Sequence, residues 1–142
     1  NKKTFYEFCF LSKTGISESE RKRFSRKDVV LFKKMHEAHH RTLKEVRRVL
    51  TKYHVDYHVS NRKAHIPYSR YNFVITVGGD GTFLQAASHL TRQHILGVNS
   101  DAKRSVGKFC AAFLKILSSK ITAIKLPRFS VEIRGSRKNS LR

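Results

Sequence analysis

One segment constrains this chain more than any other. The run FVITV at residues 73–77 leads directly into GGDGT at 78–82. A continuous β-branched apolar run fits a strand buried on both faces, as in a parallel sheet. Phe83, Leu84, Ala87 and Leu90 then follow at helical spacing, so the turn joins a strand to a helix. Three glycines in five residues allow backbone angles that a Cβ forbids, and they let a phosphate or ribose approach the main chain. A helix beginning near Thr82 offers free N–H groups and a positive dipole end, both of which favour an anion. Ligands of open α/β sheets lie at the carboxyl ends of strands, where this turn falls. Asp80 sets a carboxylate beside that anion site. It can accept a proton from an attacking hydroxyl, or hold Mg²⁺ directly or through water. The plainer alternative is a tight turn in which Asp80 caps the helix. Beyond residue 65 the only other acidic residues are Asp101 and Glu132, so a carboxylate here stands out.

The spacing elsewhere extends the same pattern. FYEFCFL at 5–11 predicts a buried first strand, and the polar residues 12–27 an exposed loop. From Asp28 to Tyr53, Phe32, Met35, His39, Leu43, Val46 and Leu50 recur every three or four residues, predicting an amphipathic helix capped by Ser25 or Asp28. Val55, Tyr57 and Val59 alternate as in a short strand, and 60–70 reads as a loop. ILGV at 95–98 predicts a strand, 107–119 a helix, and 129–133 a last strand. Strands alternating with helices place the chain in the α/β class, with a Rossmann-like, largely parallel sheet and flanking helices. Residues 1–126 are expected to form one nucleotide-binding domain. Residues 127–142 are expected to begin a β-rich second domain whose remainder is absent.

The 142 residues include 30 Lys and Arg against 10 Asp and Glu, a net charge of +20. Such a surface attracts anions, whether a nucleotide or a nucleic acid. No RNP-like aromatic pattern, Cys/His finger or basic zipper is present, so nucleic acid is not the expected partner. No apolar run reaches the ~18 residues of a membrane span, and no membrane association is expected. There is no secretory signal pattern, and Cys9 and Cys110 form no close pair. A reducing compartment follows as the expectation, cytoplasmic or the mitochondrial matrix. The first residue is Asn rather than Met, as in a processed or trimmed piece. The motifs G-x-x-x-x-G-K-[ST], G-x-G-x-x-G and G-x-S-x-G are all missing. His36, His39 and His40, and His54 with His58, raise the question of a metal, but no Cys or carboxylate cluster in the sequence completes a site. Cys110 reads as a small buried side chain.

GGDGT followed by GVNSDAKRSVGKFC at 97–110 resembles the NAD kinase family, and within it the branch of mitochondrial-type enzymes. Ser12-Lys13-Thr14 and His39-His40 are similar to that branch as well. Where the family carries Pro, this chain has Ala102. GGDGT alone is shared with diacylglycerol and sphingosine kinases, but the P-x-G-T-x-N-D pattern of the lipid kinases is absent. The resemblance implies the N-terminal fold of NAD kinases and diacylglycerol kinases. It also implies transfer of the γ-phosphoryl group of ATP, or of polyphosphate, to the 2′-hydroxyl of the adenosine ribose of NAD, giving NADP. Asp80 would be the general base or the Mg²⁺ partner. Gly78, Gly79, Gly81 and Thr82 would lie along phosphate or ribose. Asn99 would lie against the dinucleotide, with Ser100 and Asp101 nearby, and Arg104 and Lys13 would contact phosphate. The family also has a β-rich domain with an Asn-Glu or Asn-Asp motif that this chain stops short of, and its members form homo-oligomers. A lipid kinase and a non-catalytic nucleic-acid binder are the alternatives.

Overall fold

The computed structural model describes residues 3–61, 65–118 and 122–125. The expected strand at 129–133, and with it the expected second domain, lies outside them. Helix α1 spans Glu18–Arg21 and α2 Arg26–Lys52; strand β1 spans Phe73–Gly78, α3 Asp80–Ala87, β2 His94–Asn99, β3 Cys110–Ala112 and α4 Phe113–Ser118. The three strands form a parallel sheet in the order β1-β2-β3. The α/β class and the parallel sheet follow the sequence pattern.

Side-chain alternation divides the two faces of the sheet. Val77 and Val98 pack on one face against Val46 of α2, with Leu43, Leu50, Ile75, Phe113 and Ile116 around them. Fully burying a side chain such as Val98 contributes about 1.5–3 kcal/mol. The opposite face takes α3, whose Phe83 ring reaches Gly97 of β2. A Cβ on Gly97 would meet that ring at 3.0 Å and Cys110 Sγ at 2.7 Å, and would press on the Phe109 carbonyl. Glycine is therefore required there for strand β3 to close on β2.

Several expectations are corrected. Residues 5–11 are helical, with a π-helical stretch over Glu7–Leu11, and not a strand. Thr4 and Glu7 exchange reciprocal bonds: the Thr4 amide donates to Glu7 Oε2 at 2.7 Å, and the Glu7 amide to Thr4 Oγ1 at 3.2 Å. This is a capping box, and T-x-x-E ahead of an apolar run was its signature. Tyr6 and Phe10, four apart, then pack with tilted rings at 5.2 Å, while Phe5 packs edge-on to Phe32 at 4.8 Å and to Phe24 at 5.8 Å. Second, residues 55–59 have no regular secondary structure and join no strand among the described residues. His54, at φ 51°, turns the chain out of α2, and Val55 and Tyr57 stay exposed along a groove of about 780 Å³ beside β1. Third, the helix expected at 107–119 begins only at Phe113, because Cys110–Ala112 pairs with Gly97–Asn99. Fourth, no described glycine has a positive φ, so the glycines of GGDGT are not there for left-handed angles. The loop expected at 12–27 contains α1, and both α1 and α2 start on capping boxes, Ser17/Glu20 and Ser25/Asp28.

Candidate active site

Register brings the two motifs together. Gly78 closes β1 opposite Asn99, which closes β2, and the Ser100 amide donates to the Gly78 carbonyl at 2.9 Å. Gly78 is packed tight, since a Cβ there would lie 2.5 Å from Thr82 Oγ1, and Thr82 is buried above it. Gly79 and Gly81 differ. A Cβ on either would meet nothing within 4 Å. Neither backbone angle nor packing calls for glycine at these two positions. Both border the N-terminus of α3, where the amides of Asp80 and Gly81 have no described backbone partner. The combination is an open approach to amides with no described backbone partner at a helix start, suited to an anion.

Asp80 does not cap α3; Gly79 occupies that place, and Asp80 is the first helical residue. Its carboxylate crosses to the segment before β3. Oδ2 accepts from the Lys108 amide at 2.8 Å, and Oδ1 from the Phe109 amide at 3.1 Å. Phe109 in turn stacks face to face on Phe83 at 5.4 Å, which holds that segment over α3. The Lys108 amide lowers the Asp80 pKa most; burial opposes, and the Phe109 and Cys110 donors add to the lowering. Asp80 is thus a firmly ionised carboxylate that clasps residues 107–110 to the turn. Across from it, burial and then the Asp80 charge push the Cys110 thiol up to about 12.

Asn99 is buried and organises the loop after β2. Its Nδ2 donates to the Ser105 carbonyl at 2.9 Å, and its Oδ1 accepts from the Asp101 amide at 3.0 Å and from Ser105 Oγ at 3.1 Å. One Nδ2 hydrogen remains for a ligand. Ser100 is buried, and its carbonyl accepts from Thr42 of α2 at 3.4 Å. Asp101 Oδ1 pairs with Arg104 at 2.8 Å, whereas its buried Oδ2 has no hydrogen-bond partner. Arg104 is therefore turned to Asp101. Lys13 is exposed in the turn after the first helix, and no described hydrogen bond or ion pair joins it to GGDGT. The structure gathers Gly78–Thr82, Asn99 and Ser100, and leaves Lys13 and Arg104 without a described contact to Asp80. Sequence reasoning did not single out Lys108 and Phe109 as the carboxylate's partners, although they lie in the matched stretch. The large groove beside β1 reaches the motif only at Thr82, so it is distinct from the open side of the turn.

Mg²⁺ takes few protein carboxylates and completes its shell with water and substrate phosphate. Asp80 fits this, because its oxygens are not saturated by two amides, and the unpartnered Asp101 Oδ2 is a second hard oxygen on the adjoining loop. No described helix is long and apolar enough to cross a membrane.

Residues 10–123 match the family described as the ATP-NAD kinase N-terminal domain. A protein of Oryza sativa subsp. japonica described as a probable NADH kinase is 32% identical over 122 residues, an alignment covering 68% of this chain and 38% of that relative. The chain thus spans well under half the length of the relative it matches. The family match takes in β1, the GGDGT turn, the 97–110 stretch and the helices around them: the chain belongs to the NAD kinase family.

Proposed function

We propose that this chain is the nucleotide-binding part of an NAD(H) kinase, moving the γ-phosphoryl group of ATP to the adenosine-ribose 2′-hydroxyl of NAD or NADH. The observation that carries the proposal is the pair Gly79 and Gly81: glycines without a structural demand, facing open space, beside amides with no described backbone partner and an ionised Asp80. Family membership narrows the anion to a nucleotide, and the relative's description as a probable NADH kinase keeps the reduced dinucleotide in view.

In this scheme the backbone at 79–81 lets phosphate or ribose rest against the start of α3. Asn99 offers its remaining N–H to the dinucleotide. The ribose hydroxyl approaches Asp80, which takes its proton as the 2′-oxygen bonds to the γ-phosphorus and the bond to the β-phosphate oxygen breaks, releasing ADP. Phosphoryl transfer asks for alignment and charge neutralisation above all. Asp80, directly or through water, would hold Mg²⁺, which when bound offsets the charge of the ATP phosphates. Domain organisation follows the family: residues 1–126 bind nucleotide, and a β-rich part after 126 completes the dinucleotide site.

The test is NADP(H) formation from Mg²⁺, ATP and either NAD or NADH, on this chain and on a version extended to the relative's length. Asp80→Asn is expected to lower kcat by at least ~10²-fold. Wild-type turnover in the variant would remove Asp80 from the mechanism. Lack of product from both lengths would sink the proposal.

A further inference from the structure

The capping box that overturns the expected first strand has a second effect: it brings a carboxylate to the histidines of α2. Glu7 Oε1 lies 3.1 Å from His40 Nε2, and the His36 and His40 rings, one helical turn apart, are 4.3 Å between centroids. Glu7, His36 and His40 each offer one ligand atom, and these atoms all lie within 4.8 Å of one another. We propose that Glu7, His36 and His40 form a binding site for a borderline divalent transition metal such as Zn²⁺, separate from the phosphoryl-transfer site.

Three features support it. In a tetrahedral zinc site with bonds of about 2.0–2.1 Å, ligand atoms sit about 3.3 Å apart, so the Glu7–His40 pair already stands near its bound spacing. His36 Nδ1 is 2.9 Å from Thr4 Oγ1, a second contact on the ring of the kind that ligating histidines commonly have. Two imidazoles and one carboxylate suit Zn²⁺, Co²⁺ or Ni²⁺ rather than Mg²⁺ or Ca²⁺. With a net charge of +20, the chain holds such an ion by coordination, not by its overall field. Three protein ligands leave a fourth position for water. His40 is partly exposed, which gives the ion a way in. The bound ion would staple the first helix to α2. Glu7 lies ahead of the family-matched residues 10–123.

The experiment is calorimetric titration of the whole chain with Zn²⁺, and optical titration with Co²⁺. Expected are one ion per chain, visible bands of tetrahedral Co²⁺, and a zinc-dependent rise in the wild-type Tm. Glu7→Gln, nearly the same shape, and His40→Ala each weaken binding at least ~10-fold while the far-ultraviolet spectrum stays unchanged. If His40→Ala fails to fold, Glu7→Gln decides alone. Absence of saturable binding at ~100 µM Zn²⁺, or equal affinity in Glu7→Gln, would overturn the proposal.

Discussion

Asn99 is proposed to offer an N–H to the dinucleotide, yet most of its hydrogen-bonding capacity is spent on its own loop. Replacing it with Ala removes three bonds: to the Ser105 carbonyl, the Asp101 amide and Ser105 Oγ. At about 1 kcal/mol net for each, the loss is about 3 kcal/mol. For a chain of this size that lowers Tm by roughly 10 °C, or the urea midpoint by about 1.5 M at a slope of about 2 kcal/mol/M. Asn99→Asp separates the bonds further. It keeps both acceptor bonds but turns an oxygen toward the Ser105 carbonyl and places a charge where Asn99 is buried, so it is expected to destabilise at least as much as Ala. The assay is urea unfolding of the three proteins followed by far-ultraviolet circular dichroism, with NAD affinity measured under folded conditions. A midpoint within ~0.3 M of wild type for Asn99→Ala would refute the argument, and Asn99 would then be held for the ligand alone.

Glycine substitutions are expected to divide by position: Gly97→Ala destabilises by about 3 kcal/mol by prising β3 from β2, whereas Gly81→Ala, near the start of α3, leaves thermal stability equal or higher while lowering nucleotide affinity more than 10-fold. With its thiol pushed up to about 12, Cys110 is expected to resist iodoacetamide at pH 8 until urea opens the sheet, which mass spectrometry of the digested protein reads directly. The Asp80 pKa lies below its ordinary 3.8 in the folded chain, so its stabilising contribution is complete above that value and fades as pH falls through the lower folded pKa. Between pH 5 and 2, wild-type Tm should therefore fall more steeply than that of Asp80→Asn; parallel slopes would count against the clasp.

The strand, turn and helix around GGDGT were legible because each carries its own local signal: a β-branched run, glycines and a helical stripe. The long helix was legible for the same reason, down to Ser25 as its cap. The first helix was not. FYEFCFL is apolar enough for a buried strand, and only Thr4 before the run and Glu7 within it declare a helix start. The misplaced start of α4 has a different cause. Whether Cys110–Ala112 is strand or helix depends on Gly97, thirteen residues earlier, being small enough to accept a parallel neighbour. In the site, position along the chain pointed to Asp80 but said nothing of its partners. The amides of Lys108 and Phe109 are set by how the loop returns, which no periodicity records. The carboxylate beside His36 and His40 stayed hidden until residues 5–11 were helical.

The contact between Asp80 and the 107–110 segment also makes the carboxylate's basicity adjustable from a distance. The amides of Lys108 and Phe109 that bond it are main-chain groups 28 and 29 residues away, so side-chain changes at those two positions leave them in place, whereas a proline at either deletes one outright. Losing a donor raises the proton affinity of Asp80 and loosens the wall beside it. A stronger base is then gained only together with a less ordered cleft.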